Sequence, residues 1–152
     1  MTTKAKNIVF VEDNEVVLTA YRIAIEREGY GVQPAKDGLE AMRILHNSVP
    51  DLVLLDLLLP KFNGVEVLHF IRSDARLKSL PIIIFSTNSI IDADDEPLLE
   101  GVTRRLLKCK CNAPILLQVI RDVFAGITTE DMVIPGKHPY SVLLQTLDPV
   151  AA

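Results

Sequence analysis

Three short runs of apolar, largely β-branched residues constrain this chain more than any other feature: "NIVFV" from residue 7, "DLVLLD" from residue 51 and "PIIIFS" from residue 81. Each is too continuous for a strand with one wet face and too short for an ordinary helix. The pattern therefore predicts strands buried on both faces, the centre of a parallel sheet. The segments between them carry helical spacing. Val17, Tyr21 and Ile25 share a stripe that ends at Gly29, and Leu39, Met42 and Leu45 share another that ends before Pro50. The second stripe is opened by Asp37, with Glu40 three residues on as a capping box. Val65, Leu68 and Ile71 follow Gly64. A last helix starts at Asn112 and Pro114, carries Leu116, Ile120, Val123 and Phe124, and stops at Gly126. Residues 29–35 and 102–108 are weaker, more polar strand candidates suited to sheet edges. Between 89 and 100, Pro97 would interrupt a helix. Strand and helix alternate five times, which predicts a doubly wound α/β sheet.

A chain of 152 residues, 49% of them hydrophobic, makes one domain with one sizeable core. Sixteen Lys and Arg against 20 Asp and Glu leave a net charge of -4, which gives no general attraction for nucleic acid or an anionic membrane. Direct nucleic-acid binding is not expected, and Arg104, Arg105, Lys108 and Lys110 read as a solvated edge split between two faces. The N-terminus lacks the long apolar region of a signal peptide, and no apolar run approaches the roughly 20 residues that span a bilayer. These features predict a soluble, cytoplasmic protein without membrane association. Cys109 and Cys111 are too few for a disulfide scaffold or a four-ligand zinc site. Their Lys108 and Lys110 neighbours raise one sharper idea, a thiol of lowered pKa, although two inert cysteines are the simpler reading.

In open α/β sheets functional groups gather beyond the carboxyl ends of the strands. The first predicted strand ends in Glu12 and Asp13, the third in Asp56, the fourth in Ser86 and the fifth in Lys108. Three carboxylates, a hydroxyl and an ammonium thus converge on one rim. A nucleotide or flavin phosphate would need a glycine-rich turn after the first strand, where "VEDNE" presents acid. Clustered carboxylates suit a hard cation such as Mg²⁺. Beside such a cation a carboxylate can attack a phosphoryl group, with the charge that develops shared by Lys108 and Ser86.

These residues resemble the receiver domain of two-component response regulators over roughly residues 6 to 126: the "ED" pair, "DLVLLD" followed by "LP" and "NG", the hydroxyl closing "PIIIFS", and a lysine 22 positions later. The resemblance implies a flavodoxin-like, five-stranded parallel sheet of order 2-1-3-4-5 with helices on both faces. It implies that Asp56 accepts a phosphoryl group from a phosphohistidine on a sensor histidine kinase or phosphotransfer protein. Asp13 would bind Mg²⁺ directly, Glu12 mainly through water, and the Leu58 backbone carbonyl would be a further ligand beside Asp56. Ser86 would be the switch hydroxyl, Lys108 would pair with the phosphoryl oxygens, and Pro60 and Gly64 would shape the loop behind Asp56. Such a protein is not an enzyme on a separate substrate, since it promotes only its own phosphoryl uptake and loss. It switches a surface formed by the family's fourth helix, fifth strand and fifth helix, toward an unidentified output partner or a second copy of the chain.

Three positions depart from the family. Cys109 stands where proline usually follows the lysine, so a trans bond is expected there. Arg105 replaces the aromatic residue that moves with the switch hydroxyl, and Thr87 a smaller alanine. Arg105 and Cys109 support an alternative, a pseudo-receiver acting as an interaction module without phosphorylation. A phosphohydrolase with an aspartyl nucleophile would want a second acid where Leu58 stands. Residues 1–126 are expected to form the receiver. No output domain is expected in the tail, 127–152, whose "YSVLLQTL" offers Val142, Leu143 and Leu147 for docking on the domain or on a partner chain.

Overall fold

The computed structural model describes residues 4–87 and 102–127, and in it the three apolar runs form the middle of a parallel sheet. Strands β1 (Asn7–Val11), β2 (Gly31–Ala35), β3 (Leu52–Leu55), β4 (Ile82–Ser86) and β5 (Arg104–Leu107) lie in the order β2-β1-β3-β4-β5. This is the predicted flavodoxin-like order, with the two more polar strands at the edges. The described helices are α1 (Glu15–Arg27), α2 (Gly38–Asn47), α3 (Gly64–Ser73) and α4 (Ala113–Phe124). Pro97 and the docking residues Val142, Leu143 and Leu147 lie outside the described residues.

Alternation along β1 explains why Ile8 to Val11 include no polar residue. Ile8 and Phe10 enter a core with Leu18 and Ile25 of α1 and Leu116 and Ile120 of α4. Val9 and Val11 enter a second core with Ala41 and Leu45 of α2 and Val67, Leu68 and Ile71 of α3. Helices on both faces leave the central strands no wet side. Burying a Leu, Ile, Val or Phe side chain contributes about 1.5–3 kcal/mol, so these paired cores carry the fold.

Side-chain caps start the helices. Asn14 Oδ1 accepts from the Val16 and Val17 amides at 3.0 and 3.1 Å, Asn63 Oδ1 from Glu66 at 3.0 Å, and Asn112 Oδ1 from Ile115 at 3.0 Å. Asp37 Oδ1 accepts from the Glu40 amide at 2.7 Å, as the capping-box spacing predicts. Glu40 reaches back one residue further than that box requires, accepting from the Lys36 amide at 3.0 Å. Two helical stripes sit slightly rotated from their predicted positions. Ala41 is buried where Leu39 and Met42 are only half-buried, and Val67 is buried where Val65 is not. The short Ala41 side chain lets α2 approach the sheet, and the longer residues flank that contact.

Arg104 departs from the expected solvated edge. It is 5% exposed, and its guanidinium donates to the Thr103 carbonyl at 2.6 Å and to the Ile127 carbonyl just past α4. An edge strand exposes its free hydrogen-bonding edge, not its two faces. Arg104 lies on the same face of β5 as Leu106, which packs in the core beneath α4, and the two alternate with the half-buried Arg105 and Leu107.

Candidate functional site

Sheet register builds the site. Val11 is paired with Leu55, Leu55 with Ile84, and Ile84 with Arg105, so the carboxyl ends of β1, β3, β4 and β5 finish on one rim. The Asp56 amide still donates to the Val11 carbonyl at 3.0 Å, which fixes its Cα beside Glu12 as the chain leaves the sheet. Glu12, Asp13 and Asp56 each present a carboxylate oxygen within 4.8 Å of the others. Asp13 is exposed, whereas Glu12 and Asp56 are buried.

Lys108 begins a 3₁₀ turn, Lys108–Lys110, directly after β5. Its Nζ lies 2.8 Å from Asp56 Oδ2 and is also ion-paired with Glu12 Oε2. Two further contacts aim the lysine. Its Nζ lies 5.6 Å above the centre of the Phe85 ring, a cation–π distance. The Tyr21 hydroxyl donates to the Cys111 carbonyl at 3.2 Å, tying the turn to α1. Ser86, the last residue of β4, is buried and pairs in register with Leu107, the residue before Lys108. Leu58 lies in the exposed loop after β3, and its amide donates to Asp56 Oδ1 at 3.1 Å. Glu12, Asp13, Asp56 and Lys108 thus meet directly, and Ser86 and Leu58 stand beside them on the same rim.

The ionisations follow from burial and pairing. Burial pushes the Glu12 carboxyl above its ordinary 4.5, against the hydrogen bonds from Lys108 and from the Asn14 amide at 3.1 Å. Burial pulls Lys108 down, but its bonds to Asp56 and Glu12 outweigh that and leave it above its ordinary 10.5. At neutral pH the ammonium is therefore firmly charged. Three carboxylates against one ammonium leave the rim with a formal excess of two negative charges. The donor set is all oxygen, which fits a hard divalent cation and not a soft one.

The surrounding departures are now placed. Arg105 is half-buried in β5, Thr87 and Cys109 are exposed, and the described residues contain no cis peptide, so the Lys108–Cys109 bond is trans as expected. The idea of a thiol of lowered pKa fails for Cys111, which burial pushes up to about 11. Asn14, whose amide holds Glu12, and Phe85, beneath Lys108, are site residues that the sequence reading passed over. An Asn directly before a helical stripe is a readable cap signal, whereas nothing in the sequence marks Phe85 as more than core.

The sequence model of the response regulator receiver domain matches residues 8–121. The chain belongs to the response-regulator receiver family. Among curated relatives, the polar-differentiation response regulator DivK of Brucella ovis is 30% identical over 116 residues, which span 76% of this chain and 94% of the relative. Among solved structures, the chemotaxis response regulator CheY4 of Vibrio cholerae superposes with a TM-score of 0.71 at 24% identity, covering 79% of this receiver chain and 99% of that one. The Mn(2+)-bound form of response regulator Rcp1 superposes at 0.66 with 28% identity, covering 82% and 97%. Receiver domains are signalling modules of two-component systems, working with histidine kinases or phosphotransfer proteins and with output partners. No helix among the described residues of this receiver is long and apolar enough to cross a membrane.

Proposed function

We propose that this receiver is a phosphorylation-driven binding switch, in which Asp56 takes a phosphoryl group from a phosphohistidine donor. The observation that carries the reading is the buried Asp56 carboxylate, held by Lys108 at 2.8 Å within 4.8 Å of two further carboxylates. A structural ion pair alone would not need the added acid of Asp13, which stands exposed at the mouth.

Asp13 and Asp56 would hold Mg²⁺ directly, with Glu12 acting through water and the Leu58 carbonyl as a further ligand. The cation supplies charge neutralisation for the anionic donor and for the rim's excess of carboxylates. The Asp56 carboxylate attacks phosphorus, the P–N bond to the donor imidazole breaks, and the imidazole leaves with the electron pair. Lys108 exchanges one carboxylate oxygen for phosphoryl oxygens without leaving its seat over Phe85. Ser86, in register beside the lysine, donates its hydroxyl to the phosphoryl group. That movement passes to β5 and α4, whose outer surface meets the output partner or a second copy of the chain.

In this reading the receiver ends near Gly126 and the protein works in the cytoplasm. The pseudo-receiver alternative draws on Arg105 and Cys109. Incubation with MgCl₂ and a small-molecule phosphoryl donor, followed by intact mass, separates the two. The switch gains one phosphoryl group, which Asp56→Asn abolishes. Absence of the adduct in the wild type, or its persistence in Asp56→Asn, sinks the reading.

A further inference from the structure

The loop that leaves Asp56 and returns at α3 is clamped at two points, and one of them belongs to a helix outside the charged cluster. At its α3 end, Gly64 is pressed against the Asp56 and Leu57 backbone, and its amide donates to the Leu57 carbonyl at 2.9 Å. At its apex, the Lys61 carbonyl accepts from the Leu39 amide in the first turn of α2 at 3.1 Å. Gly38, immediately before Leu39, is buried so closely against the loop that a Cβ there would overlap the Phe62 carbonyl oxygen and lie 2.7 Å from its carbon. The atoms in the way are backbone, so a rotamer change cannot make room.

The loop is also held away from relaxed geometry. Lys61 and Phe62 have φ of +44° and +63°, a left-handed conformation that side chains with a Cβ rarely adopt. Such backbone persists only where its surroundings impose it. Here the surroundings are the first turn of α2 on one side and of α3 on the other. Between the clamps lies Leu58, whose amide is bonded to Asp56 Oδ1.

We infer that Gly38 is a positioning residue for the Asp56 site: its missing side chain lets α2 hold the Lys61–Phe62 turn where Leu58 meets both Asp56 and the bound cation. The inference rests on the reading of the rim as a Mg²⁺ and phosphoryl site. A side chain at 38 would push the turn outward and move Leu58 off its place, with α2 and the sheet still folded.

The test titrates MgCl₂ into the full-length, isotope-labelled chain while following the Asp13, Asp56 and Leu58 amides by NMR, with phosphoryl uptake from a small-molecule donor measured in parallel. Gly38→Ala is expected to weaken Mg²⁺ affinity about tenfold and to slow uptake at subsaturating Mg²⁺, because a displacement of about 1 Å at a reacting centre is costly. Gly31→Ala, at the opposite end of the sheet, brings a methyl to 3.3 Å from the Asn7 side-chain oxygen, which can shift, and keeps wild-type affinity. A merely structural role for Gly38 would lower the melting temperature and leave the Mg²⁺ affinity of the folded protein unchanged, and that result overturns the inference. Should Gly38→Ala fail to fold, Phe62→Gly loosens the same turn without crowding it. It is expected to weaken affinity about two- to threefold by adding loop freedom, and wild-type affinity there overturns the inference. If the wild type binds Mg²⁺ but takes no phosphoryl group, the proposed function falls while the positioning role is still decided by affinity. A wild type that binds no Mg²⁺ overturns both.

Discussion

Lys108 Nζ sits 2.8 Å from Asp56 Oδ2 while pairing with Glu12 on its other side, so one ammonium holds two buried carboxylates apart. Its side chain is 13% exposed, against 0% for Glu12 and 5% for Asp56, which makes this an ion-pair triad with little solvent screening. The lysine is the counterion that the chain itself supplies to a cluster of three carboxylates.

Removing that lysine gives the first prediction. Lys108→Met leaves Glu12 and Asp56 facing each other, and taking one partner from a buried pair costs about 3–5 kcal/mol. The exposed Asp13 mouth admits water, so the lower end of that range is expected. Urea unfolding with and without Mg²⁺ checks it: the variant is stabilised by the metal more than the wild type, because the cation replaces the missing charge. Equal stabilisation of the two proteins would mean that the cation does not occupy the lysine's electrostatic role.

Alkaline titration gives a second. Burial holds the Cys111 thiol neutral up to about 11, against 9.0 for an ordinary cysteine. Between those values the unfolded chain has lost a proton that the folded chain keeps, so stability falls as pH rises from about 9. Lys108 adds a later loss: its folded pKa lies above 10.5, so its contribution is complete below 10.5 and disappears as pH passes the folded value. Cys111→Ala should remove the earlier limb of a melting-temperature profile and Lys108→Met the later one. In the same range a thiol reagent should label exposed Cys109 well before Cys111.

The fold was legible because each of its signals was redundant. Ile8 to Val11, Leu52 to Leu55 and Ile82 to Phe85 have no polar residue to place in water, and the caps at Asp37 and Asn112 coincide with periodicity beginning just after them. The cluster of Glu12, Asp13, Asp56 and Lys108 was legible for a topological reason, since each ends a strand and parallel strands end on one side. Features depending on an interatomic fit were not legible. Nothing in the sequence marks Gly38, whose close approach is to the backbone of Phe62, 24 positions away. Arg104 reads as surface by its charge, and only the position of α4 beside β5 brings the Ile127 carbonyl within reach of its guanidinium.

That burial carries the last prediction. The Arg104 guanidinium donates to the carbonyls of Thr103 and Ile127, and the Ile127 amide donates in turn to the Asp122 carbonyl at 3.0 Å, so the arginine closes the end of α4 onto β5. Arg104→Met keeps most of the buried volume but removes both donations, leaving carbonyls that must find water or stay unsatisfied. Hydrogen bonds from a charged donor contribute about 1.5–3 kcal/mol, and a loss within that range is expected in urea unfolding. The effect should be local as well as global: amide exchange at Gly126 and Ile127 should quicken about tenfold or more relative to Ile120, because the end of the helix opens without the core. Uniform acceleration along α4 would assign Arg104 to general stability. Acceleration confined to the last turn would make it the latch that sets where the chain leaves the receiver.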